Sequence, residues 1–264
     1  MNNLSVFRVD QKVALVVGAG SGIGEAAAIA LGQSGATVVC ADVKLEAAQA
    51  TVGRISKDGS KADARAIDIR SKESIQEQVD QIKKQHGRID ILVATPAVNV
   101  RKRLLTYTDD ELDRVVDLNL KGSFRIARAA AQVMSDQDGG GSIILTSSIR
   151  SLVVEAGQGV YAATKASLVQ LARGFAVELA PKNIRVNAIA PGVVDTPLTL
   201  PIKNSPDWYS AYANRSAMKR WARPEEIAWP IVFLCSEAAS YITGTVLFVD
   251  GGWTAIDGRF EPPL

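Results

Sequence analysis

Seven short apolar runs separated by amphipathic stretches constrain this chain more than any single motif. The runs are KVALVV (12–17), ATVVCAD (36–42), KADARAIDI (61–69), IDILVAT (89–95), GSIILTSS (141–148), IRVNAIAPG (184–192) and GTVLFVDGG (244–252). Most are continuously hydrophobic instead of alternating, as strands buried on both faces are. The stretches between them carry helix punctuation. Residues 22–35 stop at Gly35, and residues 45–59 end on Gly59 as a C′ residue. Residues 71–87 open on Ser71 as N-cap and close on Gly87. TDDE at 108–111 is a capping box before a helix running through Val133. Residues 161–179 read as a helix closed by Pro181, and Pro224 suits N1 of a helix through Cys235. Strands alternating with helices predict an α/β fold, a doubly wound parallel seven-stranded sheet with helices on both faces. No linker or repeat breaks the pattern, so residues 1–264 read as a single domain. Residues 197–216, rich in Pro, Ser, Asn and aromatics, are the exception and are expected to form a substrate loop or lid within it.

Composition narrows the function classes. The 264 residues are 47% hydrophobic, enough for a sizeable core, and the net charge is only +2 with acids and bases interspersed, so no nucleic-acid footprint appears. No apolar run reaches the ~20 residues that span a bilayer. MNNLSVFRVD lacks the basic and apolar regions of a signal peptide, and the expected location is cytoplasmic. Cys40 and Cys235 lie in apolar runs and read as buried, reduced thiols. The one histidine, His86, sits beside Gly87 at a helix end, where an imidazole suits the dipole. One histidine and no cysteine cluster leave neither a metal site nor a Ser-His-Asp triad to build.

The segment VGAGSGIG follows a strand and opens a helix, the context a phosphate cradle requires. Gly18, Gly22 and Gly24 are spaced GxxxGxG, and Ile23 stands where GxGxxG would place its last glycine. Backbone N–H groups in such a loop approach a pyrophosphate, and the helix N-terminus favours its charge. Taken alone, the loop is also compatible with a tight strand–helix turn. Asp42 adds to it. It ends the second strand, where a carboxylate can accept both hydroxyls of the adenosine ribose and repel a 2′-phosphate. The competing role for Asp42 is a turn or cap before the next helix. With the loop, it points to a Rossmann-type sheet and to NAD over NADP.

Tyr161 and Lys165 stand four residues apart in VYAATKAS. A free tyrosine has a pKa of about 10 and trades protons at neutral pH only beside positive charge. Side chains at i and i+4 meet on one helix face, so the Lys165 ammonium, together with an oxidised nicotinamide, is placed to supply much of the shift that lowers the tyrosine pKa. Such pairs also occur by chance on solvated helices. Here the surrounding YAATKASLVQLA is mostly small and apolar.

With these motifs in order, the chain resembles the compact, single-domain branch of the short-chain dehydrogenase/reductase superfamily. The resemblance runs from about residue 10 to 255 through VGAGSGIG, Asp42, Asp68, LNLKG, ILTSS, YAATK, RVNAIAPGVVDT and GTVLFVDGG. It implies that Tyr161 is the general acid/base and that Lys165 binds the nicotinamide ribose and lowers the tyrosine pKa. It implies that Ser148 bonds the reacting oxygen, ahead of the opposite-facing Ser147, and that Asn119 holds the water of a proton relay. The implied cofactor set is Gly18, Ser21, Gly22, Ile23, Gly24, Asp42, Asp68, Ile69, Ala94, Tyr161, Lys165, Pro191, Gly192, Val194 and Thr196. A homotetramer built partly on helix 109–133 and the Tyr161 helix is implied too, with the tail GRFEPPL reaching a neighbour. The chain departs from the family pattern in two places. Val17 replaces the usual threonine before the first glycine, which removes a loop hydrogen bond. The fourth strand ends in ATPA (94–97) instead of NNAG, with Thr95 replacing one asparagine in part.

The substrate side is expected from Ser148, Arg150, Glu155, Gln158 and Tyr161, with Val153, Val154, Trp208, Tyr209 and Tyr212 around them. Arg150 and Glu155 either contact a polar substrate or form a structural pair at the rim. The expected activity is NAD-dependent hydride transfer between nicotinamide and a secondary alcohol or ketone, with a small-molecule substrate of sugar, polyol or hydroxy-acid type preferred. The alternatives are a 3-oxoacyl thioester reductase, a sugar epimerase or dehydratase, and a non-catalytic dinucleotide-sensing regulator.

Overall fold

Each apolar run becomes a strand, and most strands stop short of the polar residues that end the run. The computed structural model describes residues 3–257. In chain order it contains β1 (Val13–Val17), α1 (Gly22–Gln33), β2 (Thr37–Asp42), α2 (Leu45–Lys57), β3 (Ala62–Ala66), α3 (Lys72–His86) and β4 (Ile91–Ala94). Then follow α4 (Asp109–Val116), α5 (Ser123–Ser135), β5 (Gly141–Thr146), α6 (Gly159–Leu179) and β6 (Ile184–Pro191). The last elements are α7 (Leu200–Lys203), α8 (Pro206–Arg215), α9 (Glu225–Cys235) and β7 (Val246–Val249).

The strands form one parallel sheet in the order β3-β2-β1-β4-β5-β6-β7. The chain winds outward from β1 to β3, then returns to β4 on the other side of β1. The loops leaving β1 and β4 therefore diverge, and a crevice opens above them. Buried strands use both faces. Val13, Leu15 and Val17 pack with α3, α5 and α6, whereas Ala14 and Val16 pack with α1, α2 and α9. That two-sided burial is why the runs are continuously apolar.

The predicted caps form. Ser71 accepts a hydrogen bond from the Ser74 N–H, and Thr108 and Glu111 make a reciprocal capping box. Gly35, Gly59 and Gly87 all have positive φ just past their helices. His86 is the last residue of α3, and its Nε2 lies 3.0 Å from Asp63 Oδ1. Both cysteines are buried and unpaired. Among the described residues, no helix is long and apolar enough to cross a membrane, and no group of His, Cys, Asp or Glu could hold a metal ion.

Three expectations change. The helix expected through Val133 is interrupted by a π turn over Asp117–Gly122, between α4 and α5. Pro224 lies one position before α9 as its N-cap, and Pro230 sits inside α9, where it removes one backbone bond. Residues 197–216 are mostly helical, not a loop. Pro201 and Pro206 fall in the first turn of α7 and α8, where a missing N–H costs nothing, so they start helices and do not break them. These helices cover a third apolar cluster of Ile149, Ile202, Tyr212, Ala213, Trp221 and Trp253. The tail from residue 258 lies outside the described residues.

Candidate active site

The crevice between β1 and β4 is a groove of about 410 Å³, lined by Gly18, Ser21, Gly22, Ile23, Gly24, Asp42, Asp68, Ile69 and Thr196 among others. Nine residues of the expected cofactor set therefore meet along it. Ala94 and Val194 do not reach its wall: both are buried in the core, and Val194 bridges Ala222. Pro191 ends β6, and Gly192 lines the adjoining pocket. The groove wall also includes Thr95, and Arg70 and Arg114, which no motif in the sequence marks. Arg70 grips Asp68 through a bidentate pair that lowers the carboxyl's pKa.

The glycine loop is pinned to the end of β2. The N–H groups of Gly18 and Ala19 donate to the Ala41 carbonyl at 2.8 and 3.0 Å. The Gly20 N–H donates to Asp42 Oδ2 at 3.1 Å, and the Lys44 N–H to Asp42 Oδ1 at 3.0 Å. Asp42 thus takes the turn role as well, and a carboxylate's remaining lone pairs still face the groove wall it lines. Val17 cannot brace the loop as a threonine would. Thr95 does so from β4: its Oγ1 donates to the Val17 carbonyl at 2.9 Å. A Cβ on Gly18 would stand 2.4 Å from that hydroxyl, and one on Gly24 only 2.1 Å from the Gly18 carbonyl. These positions exclude any side chain.

The groove fits a dinucleotide. The first turn of α1 faces it without a side-chain cap from Ser21, which leaves N–H donors for an anion. Farther along, the Thr146 hydroxyl is buried in the groove wall with no partner.

The proton site lies at that end. Ser147 and Ser148 continue past β5, and α6 is clamped there by two bonds. Lys165 Nζ donates to the Thr146 carbonyl at 2.7 Å, and Ser147 Oγ donates to the Lys165 carbonyl at 2.8 Å. Ser147 is therefore a brace. Ser148 is extended, accepts from the Arg150 N–H at 3.1 Å, and hydrogen-bonds the Tyr161 side chain. Asn119 is fully buried in the π turn. Its amide accepts from the Val98 N–H at 2.8 Å and donates to the Val98 carbonyl at 2.9 Å and to Thr164 Oγ1 at 3.1 Å. Thr164 in turn donates to the Tyr161 carbonyl at 2.8 Å. The Asn119 side chain thus ties β4's exit to the Tyr161 helix.

Lys165 Nζ sits 5.6 Å from the Tyr161 ring centroid, but burial drives its own pKa down to about 7. Burial likewise pushes Tyr161 up to about 12, and the groups that oppose this are Ser148, Arg150 and Arg101. For both groups desolvation is the largest influence within the chain itself.

Beyond Tyr161 the second pocket is lined by Asn99, Arg101, Ser148, Arg150, Gln158 and Tyr212 among others. The paired role of Arg150 and Glu155 is realised, with Arg150 Nη2 to Glu155 Oε2 at 2.6 Å. The pair belongs to a larger network. Arg101 Nη1 donates to Glu155 Oε1 at 3.0 Å and Arg101 Nη2 to the Tyr212 hydroxyl at 2.9 Å. Gln158 Nε2 donates to Glu155 at 2.8 Å, the Tyr212 hydroxyl donates to it as well, and Asn99 Nδ2 donates to Gln158 at 3.0 Å. Arg101 and Asn99 were missed because they follow β4 with no motif around them.

This geometry agrees with what the chain is similar to. A family model described as enoyl-(acyl carrier protein) reductase matches residues 18–254. The chain is 36% identical over 248 residues to 3-oxoacyl-[acyl-carrier-protein] reductase of Thermotoga maritima, covering 93% of this chain and 99% of that one. It is 38% identical over 251 residues to cis-4-hydroxycyclohexanecarboxylate dehydrogenase of Sinomonas cyclohexanicum, covering 93% and 98%. Among solved structures, a gluconate 5-dehydrogenase from Burkholderia cenocepacia in complex with NADP and tartrate superposes with a TM-score of 0.93 at 31% identity, covering 97% and 100%. The chain belongs to the short-chain dehydrogenase/reductase superfamily. Within it the protein is an oxidoreductase, of the kind that interconverts alcohol and ketone groups with a nicotinamide cofactor.

Proposed function

We propose that this protein is an NAD-dependent dehydrogenase that interconverts a polar secondary alcohol and its ketone. The observation that carries the reading is that Tyr161 and Ser148 share the wall of the second pocket, while Lys165 on the same helix is anchored to Thr146 of the groove wall. When bound, the nicotinamide supplies or accepts hydride at its C4. Every other part of the chemistry falls to the chain. In reduction, the Tyr161 hydroxyl donates its proton to the carbonyl oxygen; in oxidation, its phenolate takes the proton back. Ser148 hydrogen-bonds the same oxygen and orients it. Lys165, fixed to the end of β5, presents its Nζ to the nicotinamide ribose and adds positive charge once protonated. Asn119 holds the Tyr161 helix in register. Residues 197–216 act as a lid of α7 and α8 over the pocket, within one domain.

Asp42 supports NAD as the form used, since its carboxylate would repel a 2′-phosphate on the adenosine ribose. The similarity to the Thermotoga reductase supports a second reading, reduction of a 3-oxoacyl thioester. A homotetramer through α5 and α6 completes the proposal. The deciding experiment follows formation of reduced nicotinamide with NAD and with NADP over a panel of secondary alcohols. Asp42→Ala is expected to weaken NAD and narrow the ratio of kcat/KM between the two cofactors. A wild-type enzyme that prefers NADP would overturn the cofactor assignment.

A further inference from the structure

The pocket beyond Tyr161 is electrostatically unbalanced. Its only charged lining residues are Arg101 and Arg150. Glu155 lies behind them and answers both. Its Oε1 accepts from Arg101, and its Oε2 from Arg150, Gln158 and Tyr212. An ionised carboxylate has about four acceptor positions, so Glu155 is saturated by its own neighbours. Two guanidiniums against one carboxylate leave one positive charge facing the pocket.

Among the described residues, no carboxylate lines the pocket itself. Asp195 is paired with Lys203 at 2.5 Å, and Asp250 is taken by the Gly252 and Thr254 N–H groups. The guanidiniums are held in place by aromatic faces that do not neutralise them. Arg150 lies 5.5 Å from the Trp253 centroid, and Arg101 lies 5.3 Å from Trp208. Arg150 is only 8% exposed, so water screens its charge little. One more group is unmet: Asn99 lines the pocket, and its Oδ1 is buried without a partner. It calls for a donor such as a hydroxyl.

Resting on the dehydrogenase reading above, we infer that the pocket selects a compact hydroxy acid, whose single carboxylate is held by Arg101 and Arg150 and whose further hydroxyl meets Asn99. The carboxylate supplies the missing unit of negative charge while Glu155 stays in place. A neutral alcohol, or the neutral thioester end of an acyl carrier, leaves the surplus unanswered. Tyr161 and Ser148 line the same pocket as both arginines, so a carboxylate bound to them shares it with the reacting oxygen.

The test compares holoenzymes of wild type, Arg101→Met and Arg150→Met on short hydroxy acids and aldonates, each beside its methyl ester. In wild type, kcat/KM for the acid should exceed that for its ester by roughly ten- to a hundredfold, the worth of a charge-assisted contact. Each substitution should cut the acid's kcat/KM by a similar factor, through KM, and leave the ester little changed. Cofactor affinity, read by fluorescence, should hold in both variants. Arg101 is the more exposed of the two, so Arg101→Met alone suffices if Arg150→Met does not fold. Esters or apolar alcohols turned over as well as acids would overturn the inference and leave the dehydrogenase reading standing. An acid preference that survives Arg101→Met would overturn it too. Turnover of no carbinol of either kind would overturn the dehydrogenase reading itself, and the substrate class with it.

Discussion

The two ends of the catalytic cleft are built by different means. At the glycine-loop end the recognising surface is main chain. Its shape depends on atoms being absent: a Cβ at Gly20 would stand 2.6 Å from the Ala47 Cβ, and one at Gly24 2.1 Å from a carbonyl. At the Tyr212 end the surface is side chain. Arg101, the Glu155–Gln158 stretch and Tyr212 come from three segments, and their polar atoms satisfy one another across up to 111 positions of sequence. The first end tolerates no added atom. The second tolerates changes of shape but not of charge. An enzyme that keeps one cofactor while changing substrate would need this division, since the backbone cradle can stay constant while the side-chain network is exchanged.

The sharpest break should come where the two ends meet. Tyr161→Phe keeps the ring and removes the exchangeable proton, so turnover should fall by the ~10²–10⁴-fold typical of lost acid–base catalysis. Cofactor binding should persist, and near-normal turnover in steady-state assays would remove Tyr161 from its role. Gly24→Ala comes next. The neighbour it meets is backbone and cannot yield, so overpacking of about 1–3 kcal/mol is expected. Thermal melts should show that loss, and titration should show cofactor affinity falling with it. An alanine variant that binds cofactor normally would erase the contrast between main-chain and side-chain ends.

A third measurement concerns Lys165, whose pKa falls from 10.5 to about 7 on burial. Between those values the unfolded chain holds a proton that the folded one has released. Stability from this group is therefore present above pH 10.5 and is lost as pH falls through about 7. The raised Tyr161 pKa acts only above 10, where it has the opposite slope. Melting of the cofactor-free protein should accordingly show Lys165→Met gaining most over wild type at neutral pH and progressively less toward pH 10. A gain that does not vary with pH would exclude a buried neutral amine. The smallest effects form a matched pair. Thr95→Val removes the bond to the Val17 carbonyl, and Tyr212→Phe removes one to Glu155. Each should cost about 1 kcal/mol. The first should appear in cofactor affinity and the second in substrate KM; if the two readouts move together, the ends are not independent.

That division also explains what the sequence makes legible. A main-chain cradle must be encoded by neighbouring residues, so VGAGSGIG announces itself, and so do the strand runs whose two-sided burial leaves no polar alternation. Tyr161 and Lys165 are readable because one helical turn separates them. Arg101 and Asn99 are not, since their partners lie at 155, 158 and 212 and no local pattern records the pairing. Thr95 was expected to substitute for an asparagine only in part; that it serves the glycine loop needs the β1–β4 pairing to bring position 95 beside Val17. The helical form of 200–215 escaped for a simpler reason: proline counts against a helix by composition and favours one only at its first turn.

The π turn at Asp117–Gly122 has a consequence for how this segment can change length. A π turn carries one residue more than the α-helix it interrupts, and each helical residue turns the axis by about 100°. Deleting one residue from DLNLKG would heal α4 and α5 into one regular helix, because the wider turn absorbs its extra residue while both flanks keep their register. Arg114 on the groove, and Ile126 and Ala130 against the sheet, would keep their faces, and the change would fall on the turn itself. Asn119 would lose its register with Val98 and Thr164. In a gene library this stretch should accept many single-residue replacements on its outer face and no single-codon deletions.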